Sequence, residues 1–61
     1  LSEVEKNILQ VVKENPGISR INIVPIIDKS EATVKRALKS LSELGFVEYR
    51  GSNKTGGYFS L

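Results

Sequence analysis

The stretch Ser30-Glu-Ala-Thr-Val-Lys-Arg-Ala-Leu-Lys-Ser-Leu-Ser-Glu-Leu-Gly45 decides the fold, because it predicts one helix with both ends marked. Ser30 is suited to cap the N-terminus, and Glu31 places a negative charge in the first turn, where the helix dipole favours it. Gly45 follows the last apolar residue, where a left-handed residue commonly ends a helix. Apolar residues recur between them at spacings of three and four, which predicts one buried stripe: Val34, Ala37, Leu38, Leu41 and Leu44.

The opposite side of this predicted helix is basic. Turning the helix by about 100° per residue places Ala32, Lys35, Arg36 and Lys39 there, and the acid Glu43 near the end. Small and basic residues on an exposed helix face suit the major groove of DNA. A solvated helix whose charges serve solubility is the alternative, and this helix alone leaves both interpretations open.

The composition argues against an enzyme. The chain has 61 residues and neither cysteine nor histidine, so thiol nucleophiles, imidazole catalysis, disulfides and thiolate or imidazole metal sites are excluded. The seven acidic residues are scattered without a paired-carboxylate spacing. We therefore expect one small domain that is not an enzyme and needs no cofactor or metal.

Charge is distributed unevenly along the chain. Residues 1–28 carry three basic and four acidic residues, whereas residues 29–61 carry six basic and three acidic residues. A basic C-terminal half fits a surface that faces a polyanion. No apolar run reaches membrane-spanning length and no signal-peptide pattern opens the chain, so we expect a cytoplasmic protein without a membrane partner. Because the chain starts at Leu1 and has no methionine, we expect it to be a fragment of a longer protein.

Two further helices are predicted before the helix that starts at Ser30. Helix 1 spans 2–15, opens with a capping box from Ser2 to Glu5, and stops at Asn15-Pro16-Gly17. Its apolar side is predicted to comprise Val4, Ile8, Leu9, Val11 and Val12.

Helix 2 spans 19–27 with Ser19 as its expected cap, although its β-branched residues also suit a strand by propensity. Its apolar face is predicted from Ile21, Val24 and Ile27, widened by Ile23 and Ile26. Pro25 predicts a kink or an irregular end before Asp28. Asp28 and Lys29 then form a tight turn into the helix over 30–45, since aspartate tolerates left-handed geometry.

The pattern changes after Gly45 from helix to strand. Residues 46–50, a glycine-containing loop and residues 58–61 predict a β-hairpin over 46–61. An isolated hairpin is marginally stable, so it must pack on the helices through some of its apolar residues: Phe46, Val47, Tyr49, Tyr58 and Phe59. We expect Tyr49, Tyr58 and Phe59 to pack in the core rather than to stack on bases.

Three segments carry a family resemblance: Asn15-Pro-Gly-Ile-Ser19, Ser30-Glu-Ala-Thr-Val-Lys-Arg-Ala-Leu38 and Leu44-Gly-Phe-Val-Glu48. With the short extended segment at Ile18 they resemble a winged helix-turn-helix domain of the MarR type, over essentially the whole chain. The resemblance implies an α+β fold in which a three-helix bundle precedes a C-terminal β-hairpin wing. The ending, Tyr49-Arg-Gly-Ser-Asn-Lys-Thr-Gly-Gly-Tyr58, is similar to the C-terminal winged helix of divergent AAA-type ATP-binding or RecG-like transcriptional regulators, and to one in some Fic-domain proteins.

The resemblance also implies a recognition helix over 31–44 and a wing tip over 50–57. Thr33, Lys35, Arg36 and Lys39 match positions that commonly meet DNA. The chain departs from the family pattern at two places that bear on the angle between helix 2 and the recognition helix. Asp28 and Lys29 replace the glycine and the apolar residue that are usual in the turn before the recognition helix, and Pro25 interrupts helix 2.

Each candidate residue has an expected role in DNA binding. Arg36 suits bidentate contact with guanine, whereas Lys35 and Lys39 suit phosphates, unless they are only solvated. Ala32 allows close approach and contact with a thymine methyl group, and Ser30 caps the helix with a phosphate contact as a second role. Arg50 and Lys54 flank the wing tip, where basic residues suit phosphates or the minor groove.

The sequence therefore predicts a double-stranded DNA-binding module of a transcriptional regulator. The alternative is a protein-interaction or autoregulatory winged helix of a larger ATP-binding protein. The partners expected are double-stranded DNA together with a homodimer mate or neighbouring domains of the parent protein.

Overall fold

A computed structural model describes residues 1–51 and 56–61 of the chain. Over those residues the fold is α+β, with three helices followed by a two-stranded antiparallel hairpin, as predicted. The elements are α1 (Glu3–Glu14), α2 (Arg20–Ile27), α3 (Glu31–Glu43), β1 (Val47–Arg50) and β2 (Gly57–Ser60). The hairpin pairs Val47 with Ser60 and Arg50 with Gly57 at its two ends.

The capping box at the start of α1 is confirmed. The Ser2 amide donates to Oε1 of Glu5 at 2.8 Å, and the Glu5 amide donates to the Ser2 hydroxyl at 3.2 Å. Two amides that the helix cannot satisfy internally are thereby satisfied. At the other end, the side-chain amide of Asn15 donates to the carbonyl of Val11 at 2.9 Å, which helps to end the helix before Pro16.

α2 differs from the sequence prediction at the cap that was expected to start it. Within the described part of the chain, Ser19 occupies the N-cap position but its hydroxyl accepts no capping hydrogen bond. The helix continues past Pro25 to Ile27, and Asp28 then ends it in the expected left-handed conformation (φ 58°). Pro25 has no N–H for the carbonyl of Ile21, but both side chains are exposed, so water can reach this side of the helix. A bend at Pro25 stays a prediction.

The apolar face predicted for α2 was partly wrong. Ile23 is fully buried and Val24 and Ile27 pack beside it, whereas Ile21 and Ile26 are 73% and 56% exposed. Positions 23, 24 and 27 fall within about 100° of one another around the helix axis, so they form one face. The predicted positions 21, 24 and 27 are three residues apart, and each step shifts the side chain by about 60° around the axis. α2 has only two polar residues, Arg20 and Asn22, which are too few to mark its outer side in the sequence.

α3 has both of the predicted caps. The Ser30 hydroxyl accepts a hydrogen bond from the Thr33 amide at 3.2 Å. At the other end Gly45 is left-handed (φ 83°), its amide donates to Ser42, and the Phe46 amide donates to Leu41. These two bonds form the Schellman arrangement that closes a helix.

The buried stripe of α3 is confirmed except at its last member. Val34, Ala37, Leu38 and Leu41 are buried, whereas Leu44 is 61% exposed. Leu44 is the C-cap residue, after which the chain turns away from the helix, and its side chain therefore leaves the stripe.

The core lies where the three helices meet the base of the hairpin. α1 packs against α2, α3 and β2, and α3 packs against α2 and β1. The buried residues of this core are Ile8, Val12, Ile23, Val34, Ala37, Leu38, Leu41 and Val47. Val4, Leu9 and Val11 pack against it, which confirms the predicted side of α1.

The hairpin packs on the helices through Val47, which is buried, and Tyr58, which lies against the core. The expectation that Tyr49 packs in the core is wrong, since 43% of it is exposed, and Phe46 is 40% exposed. Tyr49 stands opposite Tyr58 in the register, but of this pair only Tyr58 packs against the core.

The short extended segment expected at Ile18 joins the hairpin, a pairing that the sequence did not predict. Ile18 pairs with Tyr58 in an antiparallel bridge: the Tyr58 amide donates to the Ile18 carbonyl, and the Gly17 amide donates to the Tyr58 carbonyl, both at 2.8 Å. Gly17 (φ 87°) approaches so closely that a Cβ on Gly57 would stand 2.0 Å from its carbonyl oxygen. The linker between α1 and α2 thereby anchors the hairpin.

Candidate nucleic-acid interface

The outer face of α3 carries the basic residues that the sequence pattern predicted for it. Ala32, Lys35, Arg36 and Lys39 are exposed and Thr33 is partly exposed, while the opposite side of the same helix is buried in the core. Burial of that side fixes the rotation of the helix, so these residues have no alternative orientation. The structure therefore brings five of the eight candidate DNA-binding residues onto one surface.

The first turn of α3 is held by two hydroxyl groups. The Ser30 hydroxyl accepts the Thr33 amide, and the two side-chain oxygens lie 2.9 Å apart, within hydrogen-bonding distance. A cap of this kind leaves a helix N-terminus exposed with its positive dipole end in place. Such an end favours a phosphate oxygen.

Among the described residues, two grooves flank α3, and they divide its basic residues between them. The first, which we call the α1 groove, has a volume of about 370 Å³ and contains Thr33 and Arg36. Its remaining lining residues are Ser2, Val4, Glu5 and Ala37. Arg36 thus faces the N-terminal end of α1.

A carboxylate in the α1 groove stays charged in acid. The Ser2 amide, the Ser40 hydroxyl and the Ser2 hydroxyl donate hydrogen bonds that lower the pKa of Glu5 from 4.5 to about 2. The Ser40 contact links this carboxylate of α1 to α3. The groove beside Arg36 therefore contains one fixed negative charge at any physiological pH.

The second groove, which we call the wing groove, separates α3 from the hairpin and has a volume of about 300 Å³. Lys35, Lys39 and Ser42 line it from α3, and Tyr49 and Tyr58 line it from the hairpin. Arg20, Leu38 and Glu43 complete the lining. Of the described residues, three basic side chains and one acidic side chain thus share this groove with the hydroxyl groups of Ser42 and the two tyrosines.

The two tyrosines of the wing groove pack edge to face, with ring centroids 5.1 Å apart and planes at 68°. Burial raises the pKa of Tyr58, while the positive charge of Arg20 acts in the opposite direction. The Tyr58 hydroxyl therefore stays protonated and able to donate at neutral pH.

Arg20 is the residue of this surface that sequence reasoning missed. It opens α2, and its guanidinium lies 3.9 Å from the carboxylate of Glu31 in the first turn of α3. Within the described part of the chain, its Nε has no hydrogen-bond partner. A single arginine in a mostly apolar segment gives no sign of which helix it will face, so the sequence carried no signal for this position.

The wing arginine does not join the basic face of α3. In the hairpin register Arg50 shares a side with Glu48 and Phe59, whereas Tyr49 and Tyr58, which line the wing groove, lie on the other side. Its guanidinium contacts the Glu48 carboxylate and lies 4.7 Å from the centroid of the Phe59 ring. Lys54, the other wing candidate, lies outside the described residues.

A family model described as winged helix-turn-helix DNA-binding matches residues 1–48. The chain belongs to this family. The match contains all three helices and the start of β1, so it includes the helix-turn-helix and its basic outer face.

Solved structures share the fold of this winged helix. One MarR family transcription regulator superposes with a TM-score of 0.90 at 16% identity, and MarR superposes at 0.88 with 20% identity, each over 100% of this chain. The transcriptional regulator SlyA superposes at 0.79 with 26% identity over 95% of this chain. The winged helix spans 42–47% of the length of these proteins. No curated protein sequence matches the chain.

Among residues 1–51 and 56–61, no group of three or more acidic residues, histidines or cysteines is placed to hold a metal ion. No helix in those ranges is long and apolar enough to cross a membrane.

Proposed function

We propose that this winged helix is a double-stranded DNA-binding module of a transcriptional regulator. The observation that carries the proposal is the exposed basic face of α3, whose orientation is fixed by the burial of Val34, Leu38 and Leu41 on its other side. Membership of a family described as DNA-binding supports it. The module would bind by docking, without chemistry.

The recognition helix α3 enters the major groove with its N-terminal turns. Ala32 brings the helix close to the bases and can meet a thymine methyl group. Arg36 reads guanine through two parallel hydrogen bonds, a contact worth about 1–3 kcal/mol of discrimination. Ser30 and Thr33, at the capped end of the helix, lie where a phosphate oxygen would approach.

The remaining basic residues supply contacts that do not depend on sequence. Lys35 and Lys39 bind phosphates as point charges. The wing, with Arg50 and Lys54, lies on the backbone or in the minor groove. Arg50 has to leave Glu48 before it can contact a phosphate, so we assign it a smaller share of the affinity than the lysines of α3.

The proposal extends to the oligomeric state of the module and to its parent protein. A single domain of this size offers about 600–1,000 Å² of contact, and a homodimer or neighbouring domains of the parent protein would add to it. The sequence of the wing favours a parent related to the divergent AAA-type ATP-binding or RecG-like regulators. Such a protein acts on DNA in the cytoplasm and carries out no catalysis in this module.

Fluorescence anisotropy of a labelled duplex across a salt series tests the proposal. We expect a log–log salt slope of about −3 to −5, since each neutralised phosphate contributes about 0.9. The double variant Arg36→Ala/Lys39→Ala should lose at least about tenfold in affinity and keep its fold. Lys6→Ala/Lys13→Ala removes the same charge from α1 and is the matched control. Equal losses in the two double variants would contradict the role of α3.

One observation favours a protein-interaction module as the second candidate. Ile21 and Ile26 expose large apolar side chains on the outer side of α2, where a partner domain could cover them. This candidate predicts no binding of any duplex at low salt and no effect of the α3 variant on the partner. Salt-dependent duplex binding that fails in the α3 variant would decide against it.

A further inference from the structure

The α1 groove places an acid beside the residue proposed to read bases. Glu5 of α1 and Arg36 of α3 both line this groove. The Glu5 carboxylate also accepts a hydrogen bond from the hydroxyl of Ser40. Ser40 follows Arg36 by one helical turn, and side chains four residues apart are neighbours on a helix. The carboxylate therefore lies next to the turn of α3 that carries Arg36.

The position and the charge of this carboxylate are both fixed. Oε1 of Glu5 accepts the Ser2 amide at 2.8 Å, and the Glu5 amide donates to the Ser2 hydroxyl at 3.2 Å. Hydrogen bonds from Ser2 and Ser40 lower the pKa of Glu5 to about 2, so the group is ionised at neutral pH. This side of α3 thus carries a permanent negative charge that DNA would meet on docking.

Without that charge, the same place would suit a phosphate. The N-terminus of a helix attracts anions through its free amides and its dipole, and α1 begins in the groove that the exposed Arg36 lines. Within the described residues, Arg36 forms no ion pair. A free guanidinium binds phosphates as well as guanine, and a phosphate contact carries no sequence information.

Glu5 acts against the phosphate contact and leaves the guanine contact unaffected. Its carboxylate occupies the start of α1 and satisfies an amide there. A phosphate approaching Arg36 from this side meets a like charge, whereas the edge of a guanine carries no net charge. A repulsive group that penalises one of two partners creates specificity in this way.

We propose that Glu5 is a specificity-determining residue that keeps phosphates away from the α1 side of α3, so that Arg36 binds guanine and not the DNA backbone. The proposal rests on the proposed function and adds to it a residue outside the recognition helix. Glu5 is a positioning residue here, because it acts through Arg36 and contacts no base itself.

Duplex titrations of Glu5→Gln test the proposal, since glutamine can close a capping box but carries no charge. One duplex contains the sequence that the wild type selects from a random pool. The second has one guanine pair replaced, namely the pair whose replacement weakens binding by the wild type and not by Arg36→Ala.

Glu5→Gln should bind the second duplex about three- to fivefold more tightly than the wild type does, with a salt slope steeper by about 0.9, because Arg36 then neutralises a further phosphate. Its discrimination between the two duplexes should fall by a similar factor. Glu3→Gln is the matched control, because it removes an exposed carboxylate from the same turn outside the groove. It should change affinity by less than about twofold and leave the slope and the discrimination unchanged.

Two further variants separate the charge of Glu5 from its structural role and from a general charge effect. Glu5→Asp keeps the charge but shortens the side chain that closes the capping box, so it should retain most of the discrimination. In the Arg36→Ala background, Glu5→Gln should change neither affinity nor slope, since no guanidinium remains to take the phosphate. Melting temperatures at neutral pH establish that each variant is folded during the titration.

The outcomes separate this proposal from the proposed function. If the wild type binds no duplex at low salt, the proposed function fails and this proposal with it. If the wild type binds and Arg36→Ala loses discrimination, but Glu5→Gln matches Glu3→Gln, the role of Glu5 alone is overturned. A gain in affinity that persists in the Arg36→Ala background would also overturn it.

Discussion

Gly57 is the residue whose size the fold tolerates least. A Cβ at this position would stand 2.0 Å from the carbonyl oxygen of Gly17 and 2.5 Å from its carbonyl carbon. Both are backbone atoms held by the hydrogen bonds between Gly17, Ile18 and Tyr58, so no side chain can move aside. Gly45 differs, because nothing lies within 4 Å of its position and only its positive φ favours glycine.

Alanine at these two glycines should therefore destabilise the chain by different amounts. We expect Gly57→Ala to cost about 3 kcal/mol or more, since a backbone clash cannot relax. Gly45→Ala should cost about 1 kcal/mol, the strain of a left-handed non-glycine residue. Urea unfolding monitored by circular dichroism measures both. Equal costs would show that the contact between Gly17 and Gly57 relaxes freely.

Single residues differ in how much of their role the sequence reveals. The left-handed Asp28 and Gly45 were predictable, because their conformations follow from local chemistry and from their place after a helix. The side of the hairpin on which the Arg50 side chain lies was not predictable. Its contact with Glu48 depends on the strand register, and its position over the Phe59 ring depends on the partner strand. The need for glycine at position 57 arises from a contact about 40 residues away and has no local signal.

Among the elements, α1 depends most clearly on its first turn. Glu5 closes the capping box with Ser2, and the same carboxylate is hydrogen-bonded by Ser40 of α3. Its pKa is about 2 in the folded chain, against 4.5 for an ordinary glutamate. Because the folded value is the lower one, the carboxylate stabilises the folded state above pH 4.5, and this contribution is lost as the pH falls towards 2.

The pH dependence of melting tests this contribution. We expect the melting temperature of the wild type to fall between pH 4.5 and 2 more steeply than that of Glu5→Gln, which has no proton to take up. The control is Glu3→Gln, which removes a carboxylate from the same helical turn and leaves the capping box intact. Parallel curves for the wild type and Glu5→Gln would show that the box contributes nothing to acid stability.

The buried faces of helices with mixed polar and apolar composition were predictable, whereas that of the largely apolar α2 was not. The polar and apolar sides of α1 and α3 alternate with the helical period, so their buried faces could be predicted. In α2 nearly every residue is apolar, and the side that becomes buried is selected by packing against α1 and α3. The same limit applies to the groove lining, because Arg20 and Tyr49 meet only after the helices and the hairpin have packed.

For the molecule as a whole, the bridge between Ile18 and Tyr58 makes the hairpin part of the helical domain. The hydrogen bonds of Gly17 and Tyr58 connect segments that are about 40 residues apart in sequence. Breaking them requires separating the linker between α1 and α2 from β2. We therefore expect this bridge to open only when the core opens.

Hydrogen exchange of the backbone amides checks that expectation. The amides of Gly17 and Tyr58 should exchange at the rate of global unfolding, like those in the middle of α3. The Arg50 end of the hairpin should exchange faster, because its pairing with Gly57 lies farthest from the Val47 end that enters the core. Exchange of Tyr58 as fast as that of Arg50 would mean that the hairpin opens independently.

The same bridge has a consequence for synthesis of the chain. A ribosome produces α1, α2 and α3 before it produces β2, yet the amide of Gly17 and the carbonyl of Ile18 have their partner only in β2. A nascent chain can thus form and pack its helices early, but it cannot complete its sheet until residue 58 has left the exit tunnel. Until then the basic face of α3 would already be formed, while the wing groove beside it would have no second wall.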